Sequence, residues 1–226
     1  MSASDVSVVL VHGAWADGSS WAKIVVALAA DGVRVVAPPL PLTSFQDDVA
    51  ALDRALARAP GPVVLAGHAY AGAVIAATRS EKVNALVYIA ALAPDEGETV
   101  ADVFYRMAPH PQAPKLAPDD QGLIYLPDTA FAQNATAEAI SVLAAVQRPI
   151  SPACITVPVP RPLWKDRPSW YLVAEQDRMI LQDNQRFMAQ RMQARVHVHA
   201  VDHAPIVTAP GPVLDILHEA IAAVRA

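Results

Sequence analysis

The stretch VVLAGHAYAG, residues 63–72, gives the strongest structural signal in the chain. An apolar, β-branched run passes directly into a turn that contains Gly67 and Gly72, and an alanine-rich segment continues to residue 77. Small residues are required in such a turn, because the backbone and the neighbouring strands approach too closely there for larger side chains. The stretch therefore predicts a strand, a tight turn and a helix packed closely on a sheet.

Similar apolar runs predict the rest of a parallel sheet. They occupy residues 6–11, 33–37, 62–66, 83–89, 170–174 and 195–200. Helical patterns separate them, and these run from a Ser44 cap through Leu56, and over residues 71–77, 183–192 and 211–224. Strands that alternate with helices are typical of βαβ units, and runs nearly continuous in Val, Leu and Ile are typical of strands covered on both faces. We predict a single α/β domain over residues 1–226, a three-layer sandwich with a mostly parallel sheet of roughly six strands.

The pattern changes over residues 98–168, where prolines are dense and only residues 136–146 look clearly helical. A long irregular stretch inside a compact protein is usually functional. We interpret it as a cap inserted over the sheet. Its large apolar side chains predict either an apolar substrate pocket or plain core. They are Phe104, Tyr105, Met107, Leu123, Tyr125, Phe131 and Trp164, and our substrate-binding candidates among them are Phe104, Met107, Tyr125 and Trp164.

Composition narrows the possible partners and compartments. A net charge of −5 without any basic run argues against nucleic acid and anionic membranes. Cys154 is the single cysteine, so no intrachain disulfide can form, and this indicates a reducing compartment. The N-terminus lacks the basic region of a signal peptide, and no apolar stretch reaches the ~18–20 residues that span a bilayer. We therefore expect a cytoplasmic monomer or homodimer.

Four places in the chain carry the residue types of nucleophilic catalysis. Residues 67–71 follow G-x-S-x-G, the nucleophile elbow, except that Ala69 stands in the serine position and the small residue Ala71 replaces the second glycine. His12-Gly13-Ala14-Trp15 follows the first predicted strand, and Asp177 and His203 follow two late ones. The carboxyl ends of parallel strands meet at one edge of a sheet, where open α/β folds bind their ligands.

Together with residues 93–97 (APDEG), these segments span almost the whole chain and resemble the α/β-hydrolase family. The sequence is similar to small bacterial serine esterases, and more distantly to methyl-ester hydrolases and hydroxynitrile lyases. The resemblance implies that Ala69 occupies the nucleophile position, that His203 is the general base and acid, and that Asp177 orients it. It implies an oxyanion hole formed by the backbone N–H groups of Ala14 or Trp15 and of Tyr70. It also implies a small-molecule ester as substrate, with no cofactor and no metal.

Several residues allow more than one interpretation. Asp177 could instead cap the following helix, and Asp202 is the competing acid, although a solvated turn residue is the better interpretation of it. His12 either pins its loop or contributes to substrate binding, and His68 is expected to pack under the turn. Residues 197–203, HVHAVDH, nearly match an H-x-H-x-D-H zinc motif but contain one residue too many.

Ala69 itself has three interpretations. The parent protein has serine there and this chain is an inactivated variant, or the chain is a natural binding protein on a hydrolase fold. In the third interpretation, His203 and Asp177 transfer protons without a covalent step.

Overall fold

The computed structural model describes residues 6–127, 130 and 132–226. Its centre is a six-stranded, wholly parallel sheet in the order β2-β1-β3-β4-β5-β6. The strands are β1 Ser7–Val11, β2 Arg34–Val36, β3 Val63–His68, β4 Val83–Ile89, β5 Ser169–Ala174 and β6 Arg195–His199. The predicted sheet is therefore confirmed, with small shifts at the strand ends.

Helices cover both faces of the sheet, as the continuous apolar strands predict. They are α1 Ala22–Ala30, α2 Phe45–Arg58, α3 Ala71–Ala77, α4 Val100–Phe104, α5 Ala137–Ala145, α6 Gln182–Arg191, α7 Pro205–Thr208 and α8 Pro210–Arg225. One buried cluster joins one face of the sheet to α2, α3 and α6 through residues such as Leu52, Val74 and Met188. A second cluster joins the opposite face to α1 and α8 through Ile24 and Ile216. These are the three layers of the predicted sandwich.

Helix α2 begins where the sequence predicts. The Ser44 hydroxyl oxygen accepts the Asp47 N–H at 3.1 Å, and the Ser44 hydroxyl donates to the Asp47 carboxylate at 2.7 Å. This exchange satisfies one of the free N–H groups at the start of the helix. Its apolar stripe, which includes Phe45, Leu52 and Leu56, is buried against the sheet.

The long connection from β4 to β5 has little regular structure, and its two ends differ in their packing. Its described part includes α4, α5 and the short 3₁₀ helices Pro152–Cys154 and Leu163–Lys165. These two short helices lie against α2 and α3, with Cys154 fully buried. Residues nearer the middle, such as Leu116 and Leu126, line cavities at the carboxyl end of the sheet. Part of the predicted cap therefore belongs to the core.

Among the described residues, none of the helices combines the length and the apolar character that crossing a membrane requires.

Candidate active site

Ala69 lies in a strained turn between β3 and α3. Its φ is +51°, a left-handed conformation that costs an L-residue roughly 1–2 kcal/mol. The surrounding backbone holds it there, because the Ala69 N–H donates to the Ile89 carbonyl at 3.3 Å and its carbonyl accepts the Leu92 N–H at 2.9 Å. A Cβ on Gly67 would lie 2.9 Å from the Ala71 carbonyl oxygen, and one on Gly72 would lie 2.3 Å from that of Leu92. The small residues of this turn are therefore required by space.

Asp177 and His203 form a hydrogen-bonded pair beyond the ends of β5 and β6. The Nδ1 of His203 lies 2.8 Å from Oδ2 of Asp177, whose side chain is fully buried. The other carboxylate oxygen of Asp177 accepts the N–H groups of Met179 at 2.7 Å and Ile180 at 2.9 Å, and Gln185 donates to Oδ2 at 2.9 Å. With Nδ1 donating to a carboxylate, Nε2 is the nitrogen left to accept a proton. The pair has the geometry of an oriented general base.

The charge on His203 reflects two opposing effects. Burial lowers the pKa of its imidazole, but the negative charge of Asp177 and the hydrogen bond to it outweigh burial and raise the pKa above 6.5. Asp177 thus favours the imidazolium form, the form that a general base reaches after it takes a proton.

His68 supports His203 from below the turn. Its Nε2 lies 2.7 Å from the backbone carbonyl oxygen of His203 and must carry the proton, since a carbonyl oxygen only accepts. Burial, and after it the positive charge of His203, lowers the pKa of His68 to about 3. The buried position matches the sequence prediction, and His68 stays neutral at physiological pH.

Asp202 is not the solvated turn residue that we expected. It is fully buried; Oδ1 accepts the Thr208 hydroxyl at 2.7 Å, and Oδ2 accepts the Asn134 N–H at 2.9 Å. Asp202 therefore ties α7 to the long connection, while Asp177 holds the ring of His203. The competing assignment of Asp202 as the acid is wrong.

The loop after β1 faces the turn at Ala69. A Cβ on Gly13 would lie 3.1 Å from the Ala69 Cβ, and Ala14, Trp15 and Ala69 line one cavity with His203. The Trp15 carbonyl accepts the Arg148 N–H at 3.2 Å, and this bond leaves the N–H groups of Ala14 and Trp15 both as candidate donors. Tyr70 is the N-cap of α3, so its N–H belongs to a helix N-terminus. The oxyanion-hole assignment stays a prediction.

His12 does not contribute to substrate binding, contrary to one of our expectations. It is fully buried, its Nε2 accepts the Leu40 N–H at 2.8 Å, and its Nδ1 donates to the Gly13 carbonyl at 2.8 Å. Burial lowers the pKa of His12 to about 4, so the ring is neutral. Both ring nitrogens fix the loop that carries Ala14. This confirms the alternative interpretation, in which His12 pins its loop.

Two cavities meet at Trp15. The His203 cavity contains Ala69, His203, Ala14, Leu126 and Met179. The Phe104 cavity lies on the other side of Trp15 and is lined entirely by apolar or aromatic side chains, among them Leu92, Val100, Leu116, Ile124 and Ile150. The Trp15 indole N–H donates to the Ile124 carbonyl at 2.9 Å, which holds the ring between the two cavities.

Of the predicted pocket residues, only Phe104 and Tyr105 line these cavities. Tyr125 is 49% exposed, and Met107 and Leu123 lie outside both cavities. Trp164 is buried beside Arg191, 5.9 Å from its guanidinium, because its 3₁₀ helix packs on α3. The assignment of Met107, Tyr125 and Trp164 to substrate binding therefore stays a prediction, and Phe131 lies outside the described residues.

The histidines of residues 197–203 have separate partners. His197 pairs with Glu219 at 2.7 Å, whereas His203 pairs with Asp177. In the described part of the chain, no three His, Cys, Asp or Glu side chains are grouped as metal ligands would be.

Comparison with known proteins identifies the class. The sequence model of the alpha/beta hydrolase family matches residues 8–216, and the chain therefore belongs to this family. No protein of curated function matches it.

Solved structures share the fold over nearly their whole length. A pyrethroid hydrolase from Sphingobium faniae JZ-2 is 23% identical, with a TM-score of 0.82, over 98% of this chain and 100% of that one. A methylesterase from Arabidopsis is 17% identical, with a TM-score of 0.78, over 96% and 99%. A variant of tomato methylketone synthase I is 18% identical, with a TM-score of 0.80, over 97% and 99%.

Proposed function

We propose that this site is that of a serine-type carboxylic ester hydrolase whose nucleophile is replaced by Ala69. The observation that carries the proposal is the juxtaposition of Ala69, in the strained turn, with the His203–Asp177 pair, since Ala69 and His203 line one cavity. A serine at this position would place its hydroxyl in that cavity, and a serine hydroxyl needs an adjacent base to act as a nucleophile.

The proposed reaction follows from these positions. A serine oxygen at residue 69 attacks the ester carbonyl while Nε2 of His203 takes its proton, and Asp177 stabilises the imidazolium. The N–H groups of Tyr70 and of Ala14 or Trp15 stabilise the oxyanion. His203 then protonates the leaving alcohol, and water releases the acid from the acyl-enzyme by the reverse sequence of proton transfers.

The proposed substrate is a small ester with a hydrophobic or aromatic group. The apolar lining of the Phe104 cavity supports this, because apolar walls with few polar groups favour apolar ligands. Two structural neighbours, a pyrethroid hydrolase and a methylesterase, support ester chemistry on this fold. The middle of the long connection would act as the cap that excludes water.

With Ala69 the chain has no oxygen for acyl transfer, and we propose that it is an inactivated form. Loss of the nucleophile in another serine hydrolase costs roughly 10⁶ in kcat. Ester binding is expected to persist, because alanine differs from serine by one oxygen and leaves the shape of the cavity unchanged.

The test is Ala69→Ser, assayed on short- and medium-chain p-nitrophenyl esters and with a fluorophosphonate probe. We expect turnover to rise by several orders of magnitude, with labelling at residue 69. Ala71→Ser is the matched control, since it adds the same hydroxyl two residues away on α3. It should give neither ester turnover nor labelling by the probe. Failure of Ala69→Ser to hydrolyse any ester or to react with the probe would contradict the proposal.

A second candidate is a lyase or another proton-transfer enzyme in which His203 and Asp177 act without a covalent step. The hydrogen bond between His203 and Asp177 is formed although the side chain of Ala69 has no proton that His203 could take. In addition, one structural neighbour with the same fold is a methylketone synthase. Release of ketone, or of aldehyde and cyanide, by the Ala69 chain itself would favour this candidate. A chain that binds ligand but turns over nothing, even as Ala69→Ser, would be a binding protein.

A further inference from the structure

A groove at the edge of the sheet brings together three arginines that are distant from the ester site. Arg34 lies on the edge strand β2, and Arg54 and Arg58 lie one helical turn apart on α2. Residues four apart on a helix share a face, so the two guanidinium groups of α2 point to the same side. The groove encloses about 660 Å³, within the range of small-molecule sites.

These three side chains are exposed, and none of them forms an ion pair or hydrogen bond with the described residues. Four other arginines form ion pairs with carboxylates. The pairs are Arg161 with Asp166, Arg186 with Glu175, Arg191 with Glu98, and Arg195 with Glu219. Acidic residues outnumber basic ones by 22 to 17, so the three groove arginines form a local positive patch in an acidic protein.

Two acids of α2 are hydrogen-bonded elsewhere. The Asp53 carboxylate accepts the Thr78 hydroxyl of the turn after α3. Asp47 accepts the hydroxyls of Ser44 and Thr43; these hydrogen bonds lower its pKa, and the charge of Arg54 adds a smaller effect. Neither acid lines the groove. Three positive charges therefore face one concave surface without a neutralising group on it.

The remaining walls of the groove are apolar. Val36, Ala51 and Ala55 contribute to them, together with Pro38, Pro39 and Pro60. A ligand that fits both features has a clustered negative charge and an apolar or flat body. Guanidinium groups bind phosphate with paired, charge-assisted hydrogen bonds, which makes phosphate the anion best matched to three arginines.

We propose that this groove binds a phosphorylated small molecule, with Arg34, Arg54 and Arg58 on the phosphate groups and the apolar wall on its body. Addition of a strand from another protein does not fit, because β2 has only three residues and Pro38 and Pro39 follow it. A long nucleic acid does not fit either, because the net charge of −5 repels a polyanion outside this patch.

The test is calorimetric titration of the full chain with ADP, pyrophosphate and adenosine, which needs no esterase activity. ADP should bind most tightly because it presents both the anion and a flat body, pyrophosphate more weakly, and adenosine only marginally. Raising NaCl from about 50 to about 300 mM should weaken ADP binding several-fold, since exposed charges are screened.

The variants locate the site. The double variant Arg54→Gln/Arg58→Gln and the single variant Arg34→Gln should weaken ADP binding at least about ten-fold. Arg225→Gln, which changes an exposed arginine on α8, should leave it within about two-fold, with the thermal midpoint confirming the fold of each protein. No saturable ADP binding up to about 5 mM would overturn the proposal, because paired guanidinium–phosphate contacts should be measurable at that concentration. Equal affinity of the double variant and the unmodified chain would overturn it as well. Pyrophosphate bound as tightly as ADP would overturn the assignment of the apolar wall.

Discussion

The Nε2 of His68 donates to the backbone carbonyl of His203 at 2.7 Å, and the two imidazole rings lie 4.9 Å apart at an angle of 47°. Burial dominates in His68 and lowers its pKa to about 3, whereas Asp177 overcomes burial in His203 and raises its pKa. The His68 ring is thus neutral at physiological pH, whereas the environment of the His203 ring favours its protonated form.

Asp177→Asn should lower the pKa of His203. The substitution removes the charge that raises this pKa, while burial, which lowers it, remains. NMR titration of the His203 ring in the Ala69 chain measures the change directly. In the Ala69→Ser background, kcat for esters should fall by about 10⁴, because the wrong tautomer is stabilised.

Asp202→Asn is the matched control for this experiment. The charge of Asp202 raises the pKa of His203 less than Asp177 does, and the Asp202 carboxylate accepts hydrogen bonds from Thr208 and Asn134 instead. Asp202→Asn should therefore lower the pKa of His203 clearly less than Asp177→Asn does. An unchanged His203 titration in Asp177→Asn would remove the basis for assigning Asp177 as the orienting acid.

His12 should make stability fall with acid. Its pKa is lowered to about 4 in the folded chain, so the unfolded chain takes up the proton first as pH falls below 6.5. The contribution is complete above pH 6.5 and is lost progressively as pH falls towards 4, by up to about 3 kcal/mol. Urea unfolding at several pH values between 7 and 4 measures the loss.

His12→Gln separates this effect from other titrating groups. A glutamine oxygen can accept the Leu40 N–H without binding a proton in this range. The variant should therefore be less stable than the unmodified chain at pH 7, with a smaller loss between pH 6.5 and 4. Parallel stability curves for the two proteins would contradict the assignment.

Gly72→Ala should destabilise the fold strongly. Alanine is ordinarily the better helix former, but a Cβ at this position meets the Leu92 carbonyl oxygen at 2.3 Å, and that carbonyl belongs to rigid backbone. We expect a loss of about 3 kcal/mol or failure to fold. Gly211→Ala is the comparison, because its Cβ would have nothing within 4 Å, and it should be neutral or slightly stabilising. Similar thermal midpoints for the two variants would contradict the close-packing argument.

Trp15→Ala should join the His203 cavity to the Phe104 cavity. In the Ala69→Ser background, we expect the ratio of kcat/KM for an eight-carbon ester to that for a four-carbon ester to rise about ten-fold, because longer chains gain apolar contact. Trp15→Phe keeps most of the ring but loses the hydrogen bond to Ile124, and should change the ratio little. An unchanged ratio in Trp15→Ala would show that the ring does not limit acyl length.

The positions that we propose for catalysis could be located from the sequence because each lies within a few residues of the end of a strand. A strand, a required small-residue turn and a helix locate Ala69, and strand ends locate Asp177 and His203 without any knowledge of the long connection. The sheet was predictable for the same reason, since strands buried on both faces leave a continuous apolar signal. Cytoplasmic location and oligomeric state stay predictions from composition.

The lining of the cavities could not be predicted from the sequence, because residues 98–168 have no period that distinguishes an inward from an outward side chain. Ile124 and Ile150 line the Phe104 cavity, whereas Met107 and Tyr125 do not, and nothing in their local sequence distinguishes them. His12 shows a second limit, because only the fold brings the Leu40 N–H to its ring. The arginine groove shows a third limit of prediction from sequence. Its charges come from two separate elements, β2 and α2, and form no basic run that the sequence would reveal.

The turn at residue 69 is held by Gly67, Gly72 and backbone hydrogen bonds to Ile89 and Leu92, and none of these uses the side chain of residue 69. Alanine and serine codons can differ by one base. A lineage with this scaffold can therefore lose its nucleophile, or regain it, in a single mutational step without refolding the turn. Under the proposed function, ligand binding and ester turnover can therefore change independently during evolution. Selection can act on binding in a chain that lacks the nucleophile.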